Sequence, residues 1–176
     1  MSISTKSSSV RIEILSSDHD LSNYLESIND HESIKYIAGL DNSQKSYDYL
    51  IEYINNFQGH LYGVFNEFNE HVGNIGLSHI NNLNRSCSMG IFIFKKYQNK
   101  GYGKIATYKT LNEAFKKLGF NRVSLLVVPK NSSAIKLYES TGFEYEGRLR
   151  DAFFKNNEYD DLLSYSIIKK NYTKVS

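Results

Sequence analysis

The chain has 176 residues, which suffices for one domain with a sizeable core and not for two ordinary ones. With 40% hydrophobic and 23% charged residues, its composition excludes an intrinsically disordered protein. The net charge is +2 and the basic residues are scattered along the chain, which argues against nucleic acid as a partner.

The cysteine content and the hydropathy of the chain indicate which covalent links, metal sites and cellular locations to expect. Cys87 is the only cysteine, so we expect it to be a small buried side chain, and we expect neither an intrachain disulfide nor a metal site. Residues 1–9 are rich in serine and lack the apolar stretch of a signal peptide, and no later segment is long and apolar enough to span a membrane. These features predict a disordered polar tail at residues 1–9, a single domain at residues 10–176, a cytoplasmic location and no membrane partner.

The first elements in chain order are a strand and two helices. Apolar and polar residues alternate over Val10–Leu15, as in a half-buried strand. Asp18 or Asp20 can cap a helix that runs to about Ile28. Apolar residues three and four apart over Tyr47–Phe57 predict the second helix.

Three strand patterns follow, at Leu61–Phe65, Val72–Ile80 and Cys87–Phe94. A polar loop at 66–70 separates the first two, and the polar run 81–85 precedes the third. This spacing predicts an antiparallel meander.

The second half alternates helix, strand and helix before a final hairpin. The apolar stripe of the first helix consists of Ile105, Tyr108, Leu111, Phe115 and Leu118, with Gly119 at its end. Val123–Val128 is almost continuously apolar, which predicts a central strand covered on both faces. Asn131 can cap a helix that runs to Ser140, and the segments 144–154 and 159–168 predict a hairpin. A strand, a helix and another strand in this order imply a parallel pair joined by a crossover.

The run from Gln98 to Gly103 is the segment most suited to a ligand. Two glycines allow a tight turn, and the amides freed at a helix start attract an anion such as phosphate. A P-loop is excluded because Ile105 stands where the Ser or Thr should follow Gly103-Lys104. A dinucleotide site is disfavoured because the next strand lacks an acidic residue. The same turn can also simply join a strand to a helix.

The turn and a second motif together resemble the GNAT superfamily of N-acetyltransferases. The first motif is Q-x-x-G-x-G at Gln98–Gly103, and the second is N-x-x-A-x-x-x-Y-x-x-x-G-F at Asn131–Phe143, about thirty residues on. The resemblance covers about residues 10 to 170 in element order. It implies an α/β (α+β) fold with a mixed sheet of about seven strands, an antiparallel meander followed by a parallel pair joined by a helix, and about four helices.

The resemblance also implies that acetyl-CoA is the co-substrate, with its pyrophosphate on the glycine turn. The residues that it assigns to this contact are Gln98, Asn99, Lys100, Gly101, Tyr102, Gly103 and Lys104. It assigns backbone contacts with the pantetheine arm, and a donor to the acetyl oxygen, to Ile91, Phe92 and Ile93. Asn131 matches a coenzyme contact and equally a helix cap, and these two roles are compatible.

Tyr138 matches the family's general acid, which protonates the leaving thiolate, although an ordinary core tyrosine fits the same pattern. Many relatives place a glutamate ten residues before the Gln, where this chain has Ser88. A serine cannot serve as a base at neutral pH, so we expect a water relay instead. Glu32, His31 and His79 are candidate helpers near the substrate.

The resemblance implies transfer of acetyl to a primary amine of a small molecule, an amino sugar or a protein N-terminus, by direct attack in a ternary complex. Gly73–Ile80 and Gly142–Arg150 look most like the branch of ribosomal-protein N-terminal, spermidine and nucleotide-amino-sugar acetyltransferases. Two alternatives remain: a non-catalytic acyl-CoA-binding module, and a polyamine acetyltransferase with an altered acceptor site. Relatives often dimerise, so a homodimer is also implied.

Overall fold

The computed structural model describes residues 10–172, and the predicted tail at residues 1–9 lies outside this range. Seven strands form one sheet, in agreement with the expected number of about seven, and their order is β1-β2-β3-β4-β5-β7-β6. The strands are β1 (Arg11–Ile14), β2 (Gly59–Phe65), β3 (His71–Asn81), β4 (Ser86–Ile93), β5 (Arg122–Val127), β6 (Glu144–Lys155) and β7 (Glu158–Ile168). The α-helices are α1 (Ser22–Ile28), α2 (His31–Ile34), α3 (Tyr47–Asn55), α4 (Tyr102–Asn112), α5 (Ser132–Ser140) and α6 (Lys169–Tyr172).

The pairing of the strands confirms the predicted topology. The first four strands form an antiparallel meander. β4 and β5 are parallel and are joined across the sheet by α4, while β6 and β7 form the final antiparallel hairpin. A mixed sheet with one parallel pair therefore results.

The described residues contain six α-helices rather than about four, because the sequence pattern did not reveal two helices of one turn each, α2 and α6. Local capping explains α2: the Asp30 carboxylate accepts the Glu32 N–H at 3.3 Å and the Ser33 hydroxyl at 2.6 Å. Ile34 anchors this turn in the core. So short a helix has too few residues for a periodic signal.

Helix α4 carries the predicted apolar stripe into the core. Leu111 and Phe115 are fully buried, and each such side chain contributes about 1.5–3 kcal/mol of transfer free energy. A π-helical turn over Glu113–Lys117 continues the helix, and Gly119 ends it with a left-handed φ of 74°. The predicted glycine stop is thus confirmed.

The prediction that β5 is covered on both faces is wrong. Val123, Leu125 and Val127 are buried, but Leu126 is 52% exposed, because the neighbouring strand β4 diverges from β5 at this point. Cys87 lies beside Val123 and is buried as predicted, and burial raises the pKa of its thiol to about 12.

The helices cover both faces of the sheet. Helix α1 lies on one face, where the ring of Tyr24 stacks on Phe94 with centroids 5.7 Å apart. Helices α4 and α5 pack together on the other face, and the Tyr108 hydroxyl donates to the Ser140 carbonyl at 3.2 Å. The sheet therefore lies between two groups of helices.

Candidate active site

The sheet opens between β4 and β5. These parallel strands pair only over Ser86–Ser88 and Arg122–Ser124. Beyond this point β4 continues beside β3 to Ile93, and β5 continues beside β7 to Val127. The two strands leave a V-shaped gap into which main-chain groups point.

A cavity of about 1050 Å³ passes through this gap and is lined from both faces of the sheet. We call one part the α4 half; its walls are the turn before α4, helix α5 and strand β5. We call the other part the α3 half; its walls are α1, α2, α3 and the facing surface of β3 and β4. The cavity therefore connects the glycine turn with a separate chamber under the early helices.

The main chain of Ile91 faces the gap. Phe94 donates its N–H to the Val72 carbonyl at 3.0 Å, so by alternation Phe92 also directs its main chain to β3 and Ile91 and Ile93 direct theirs away from it. The Gln98 side chain donates to the Ile93 carbonyl at 2.9 Å. Of the three predicted backbone contacts, this leaves Ile91 best placed for a ligand in the gap.

The turn before α4 is built from left-handed residues. Asn99 has a φ of 61° and Gly101 a φ of 84°. Helix α4 begins at Tyr102, and Gly101, at the N-cap, offers no side-chain cap. The amides of Tyr102, Gly103 and Lys104 are therefore the uncapped start of an eleven-residue helix, which favours an anion.

Gly103 allows the helix start to approach its neighbours closely. A Cβ atom at this position would lie 3.3 Å from Leu137 Cδ2 and 3.6 Å from Ile93 Cγ1. Lysine charge lies close to the turn: Lys104 lines the cavity, and the Lys100 ammonium lies 5.5 Å from the centre of the Tyr97 ring. The turn combines close packing with positive charge.

Tyr138 on α5 and Asn131 at the N-cap of this helix line the same half of the cavity. Tyr138 is 6% exposed, its ring packs on Phe143 with centroids 5.8 Å apart, and burial raises its pKa to about 12. Within residues 10–172 its hydroxyl has no hydrogen-bond partner. Asn131 caps α5, with Oδ1 accepting the Ala134 N–H at 3.3 Å, so the predicted cap is confirmed. Its amide nitrogen remains available to a ligand.

The candidate helpers are not brought together. Glu32 lines the mouth of the cavity, and its carboxylate accepts from the Lys35 ammonium at 3.0 Å. His79 is exposed, with a left-handed φ of 49°, and Ser88 lies at the last paired position of β4 and β5. Neither of these two residues lines the cavity, because His79 lies in the irregular end of β3, where the register with β4 shifts, and Ser88 lies at the closed end of the gap.

The floor of the α3 half is made of glycines that the sequence did not single out. Gly76 on β3 and Gly90 on β4 are direct cross-strand partners. A Cβ atom at Gly90 would meet nothing within 4 Å, whereas one at Gly76 would lie 2.9 Å from the ring of Phe57. An alignment of the predicted strands could have found this pair, but only with the register known.

The cavity is poor in unpaired carboxylates. Glu32 is the only acidic residue in its wall among the described residues, whereas Lys35, Lys95, Lys104 and Lys130 also line it. Two of these lysines bridge to carboxylates nearby, Lys95 to Asp30 at 3.4 Å and Lys130 to Asp160 at 2.9 Å. The α3 half offers little to attract a polycation.

The family described as "Acetyltransferase (GNAT) domain" matches residues 11–144. The chain belongs to the GNAT acetyltransferase family. Members of this family use acetyl-CoA, and the arrangement of gap, uncapped helix start and buried tyrosine fits that co-substrate.

Two curated relatives carry names that refer to different acceptors. The spermidine N(1)-acetyltransferase of Vibrio cholerae is 33% identical over 101 residues, which is 57% of this chain and 58% of that protein. The putative ribosomal N-acetyltransferase YdaF of Bacillus subtilis is 32% identical over 100 residues, 57% of this chain and 55% of that protein. The matched part is thus less than three fifths of either relative.

A solved structure of a GNAT protein matches the fold over nearly the whole chain. It is spermidine N-acetyltransferase from Vibrio cholerae in complex with CoA and spermine, with a TM-score of 0.83 and 26% identity, covering 93% of this chain and 98% of that one. Between residues 10 and 172 the present chain contains no helix long and apolar enough to cross a membrane. In the same range no three His, Cys, Asp or Glu side chains are grouped to hold a metal ion.

Proposed function

We propose that this chain transfers acetyl from acetyl-CoA to the primary amine of a small molecule by direct attack in a ternary complex, with Tyr138 as general acid. One observation carries the proposal: a buried tyrosine hydroxyl without a partner lies in the wall of a cavity that joins an uncapped helix start to a second chamber. Two substrates can reach this hydroxyl from opposite faces of the sheet. Acetyl transfer needs such a meeting point.

Main-chain groups would hold the coenzyme. The amides of Tyr102, Gly103 and Lys104 suit its pyrophosphate, and the dipole of α4 contributes about 0.3–1 kcal/mol besides the hydrogen bonds. The pantetheine arm would lie beside Ile91 in the gap. The Ile91 N–H then suits the acetyl oxygen, and one such donor accelerates acyl transfer by about 10²–10³-fold.

The acetyl group arrives as a thioester. The amine nitrogen attacks its carbonyl carbon, the C–S bond breaks, and the thiolate takes the proton of the Tyr138 hydroxyl. Because burial raises the pKa of Tyr138 to about 12, the phenol keeps its proton at neutral pH until the sulfur carries charge. The tyrosine then regains a proton from water, and the proton of the attacking amine leaves to water.

The amine must lose a proton before it attacks, since an alkylamine has a pKa of about 10.4. Glu32 is the only carboxylate in the cavity wall within residues 10–172, and it is held by Lys35. We therefore assign this step to water in the cavity rather than to a protein base.

Removal of the Tyr138 hydroxyl tests the proposal. Tyr138→Phe should lower kcat for thiol release by about 10²-fold or more, with coenzyme affinity in calorimetry unchanged. Because the hydroxyl has no partner among the described residues, this variant should keep its melting temperature. Tyr145→Phe is the matched control, since Tyr145 is 56% exposed on β6 and away from the cavity. Unchanged turnover in Tyr138→Phe would refute the acid role.

A second candidate is a non-catalytic acyl-CoA-binding module, favoured by the missing protein base. It predicts tight coenzyme binding and no thiol release with any member of a panel of alkylamines, amino sugars, polyamines and peptide N-termini. Thiol release that depends on both an amine and Tyr138 would exclude this candidate.

A polyamine acceptor is the third candidate, and the charges argue against it. Polycations need several carboxylates, whereas Asp30 and Asp160, which lie near the cavity, are paired with Lys95 and Lys130. Spermidine therefore belongs in the panel as the acceptor that we expect to be poor.

A further inference from the structure

The α3 half carries hydroxyl groups that the proposed chemistry does not use. Tyr24 on α1 and Tyr49 and Tyr53 on α3 all line the cavity. None of the three hydroxyls has a hydrogen-bond partner within the described part of the chain, residues 10–172. Polar groups of this kind, held in a cavity wall, are available to a ligand.

Neighbouring aromatic rings fix two of these tyrosines. Tyr24 stacks on Phe94 with centroids 5.7 Å apart, and Tyr53 meets Phe57 edge to face at 5.8 Å. Burial raises the pKa of Tyr24 and of Tyr53, and the nearby Tyr49 adds to both shifts. The hydroxyls of Tyr24 and Tyr53 therefore stay neutral, and each can donate and accept a hydrogen bond.

Asn74 adds a buried amide to the same chamber. It lies on β3, is 5% exposed and lines the cavity. Its Oδ1 lies 2.8 Å from Nε2 of His71, and this contact fixes the orientation of the amide group. Burial lowers the pKa of His71, so the imidazole is neutral at neutral pH. The amide nitrogen of Asn74 has no partner among the residues described. A buried donor without a partner points to a group that arrives with the substrate.

The glycine floor leaves room for a ring beside these groups. Gly90 has open space above it, and Phe57 stands over its partner Gly76. Two flat peptide units and one aromatic edge suit a compact cyclic molecule better than a long chain with several charges. The one carboxylate in the wall, Glu32, is already paired with Lys35.

We propose that Tyr24, Tyr49, Tyr53 and Asn74 form a subsite for an acceptor amine whose other polar groups are uncharged hydroxyl or carbonyl oxygens, such as a polyhydroxylated ring. The subsite rests on the proposed acetyl transfer and specifies its substrate class. It discriminates against polyamines because it offers neutral hydrogen bonds in place of carboxylates.

Two cyclic amines test the subsite, because they share a six-membered ring and differ in oxygen atoms: glucosamine and cyclohexylamine. We expect kcat/KM for thiol release to be at least about tenfold higher with glucosamine, since a site built for hydroxyls rejects an analogue without them. Tyr53→Phe and Asn74→Leu should each lower this preference by about threefold or more. Comparing the preference between variants cancels the different basicity of the two amines.

Tyr47→Phe is the matched control, because Tyr47 lies on the same helix, is 44% exposed and does not line the cavity. It should leave the preference unchanged. Spermidine measured in parallel should be a poorer substrate than glucosamine. Equal use of the two rings, an equal loss for both in Tyr53→Phe, or a clear preference for spermidine would overturn the subsite.

Calorimetry separates this inference from the proposed function. The three amines are titrated into the full chain saturated with coenzyme A, which needs no catalysis. Glucosamine binding that weakens in Tyr53→Phe supports the subsite even if no amine releases thiol, in which case only the proposed acetyl transfer fails. No glucosamine binding to the unaltered chain would overturn the subsite, even if another amine is acetylated.

Discussion

The two halves of the cavity are built in different ways. The α4 half is made from main-chain groups: the amides at the start of α4, the left-handed residues Asn99 and Gly101, and the strand backbone at Ile91. The α3 half is made from side chains on α1 and α3, over a floor of two glycines from β3 and β4. Backbone groups are the same in every sequence, so the first half can be retained while the second is changed residue by residue.

Under the proposed function, this difference separates donor recognition from acceptor choice. Any sequence that keeps Gly101 in the left-handed region keeps the amides in place. By contrast, one substitution at Gly76, Gly90 or Asn74 alters the shape or polarity of the α3 half. We expect variants to affect either coenzyme affinity or acceptor preference and rarely both.

Backbone strain in the α4 half should have the largest effect on coenzyme affinity. Gly101→Ala forces a side chain into a left-handed position, which costs about 1–2 kcal/mol, and relaxation of the turn should weaken coenzyme binding by about tenfold. Gly119→Ala is the matched control, with a φ of 74° and nothing within 4 Å, but remote from the turn. Calorimetry and thermal melts should show similar destabilisation in both variants and lost affinity only in the first.

Equal coenzyme affinity in these two variants would contradict the main-chain account of the α4 half. Acceptor preference should stay unchanged in both of them, because neither glycine lies in the chamber walls of the α3 half.

A charge on the floor of the α3 half should alter acceptor choice. Gly90→Glu places a carboxylate over open space, so the variant should still fold. The ratio of kcat/KM for spermidine to kcat/KM for glucosamine should rise by about tenfold, because charge-assisted hydrogen bonds are about twice as strong as neutral ones. Gly90→Gln controls for size. An equal change of this ratio in both variants, or a loss of coenzyme affinity in either, would contradict the separate roles of the two halves.

A smaller effect is expected at the predicted helpers. Glu32→Gln should change kcat by less than about threefold, because its carboxylate is exposed and paired with Lys35. His79→Ala should do no more, because His79 lies outside the cavity. A loss of about a hundredfold in either variant would identify a protein base and refute the water relay.

We expect that kcat does not fall at alkaline pH through ionisation of the Tyr138 hydroxyl. The raised pKa of about 12 means that the working, protonated form persists until the pH rises through that value. The rate should therefore keep rising up to about pH 10, as the acceptor amine deprotonates. A decline with a midpoint near pH 9 that disappears in Tyr138→Phe would contradict the buried, neutral phenol.

The α4 half was largely predictable from sequence because main-chain sites leave local signatures. Position 101 needs a glycine for its left-handed φ, and position 103 needs one because it lies close to Leu137. Asn131 has the residue type and position of a helix cap. Even so, the motif could not show that the Gln98 side chain donates a hydrogen bond to the Ile93 carbonyl. That contact depends on the path of the turn in space.

The α3 half could not be predicted because it joins residues distant in sequence. Tyr49 and Tyr53 fit a core stripe of α3 as well as a cavity wall, and only the sheet register pairs Gly76 with Gly90. Leu126 was expected to be covered, yet it is exposed because β4 and β5 separate after three pairs. The length of a parallel pairing has no local signal in the sequence.

The most direct test of the account is a crystal structure of the chain with coenzyme A. We expect the pyrophosphate on the amides of Tyr102–Lys104, the pantetheine arm in the gap beside Ile91, and the sulfur within hydrogen-bond reach of the Tyr138 hydroxyl, about 3–3.5 Å. A coenzyme bound outside the gap, or a sulfur more than about 6 Å from that hydroxyl in an otherwise ordered complex, would contradict the proposed function.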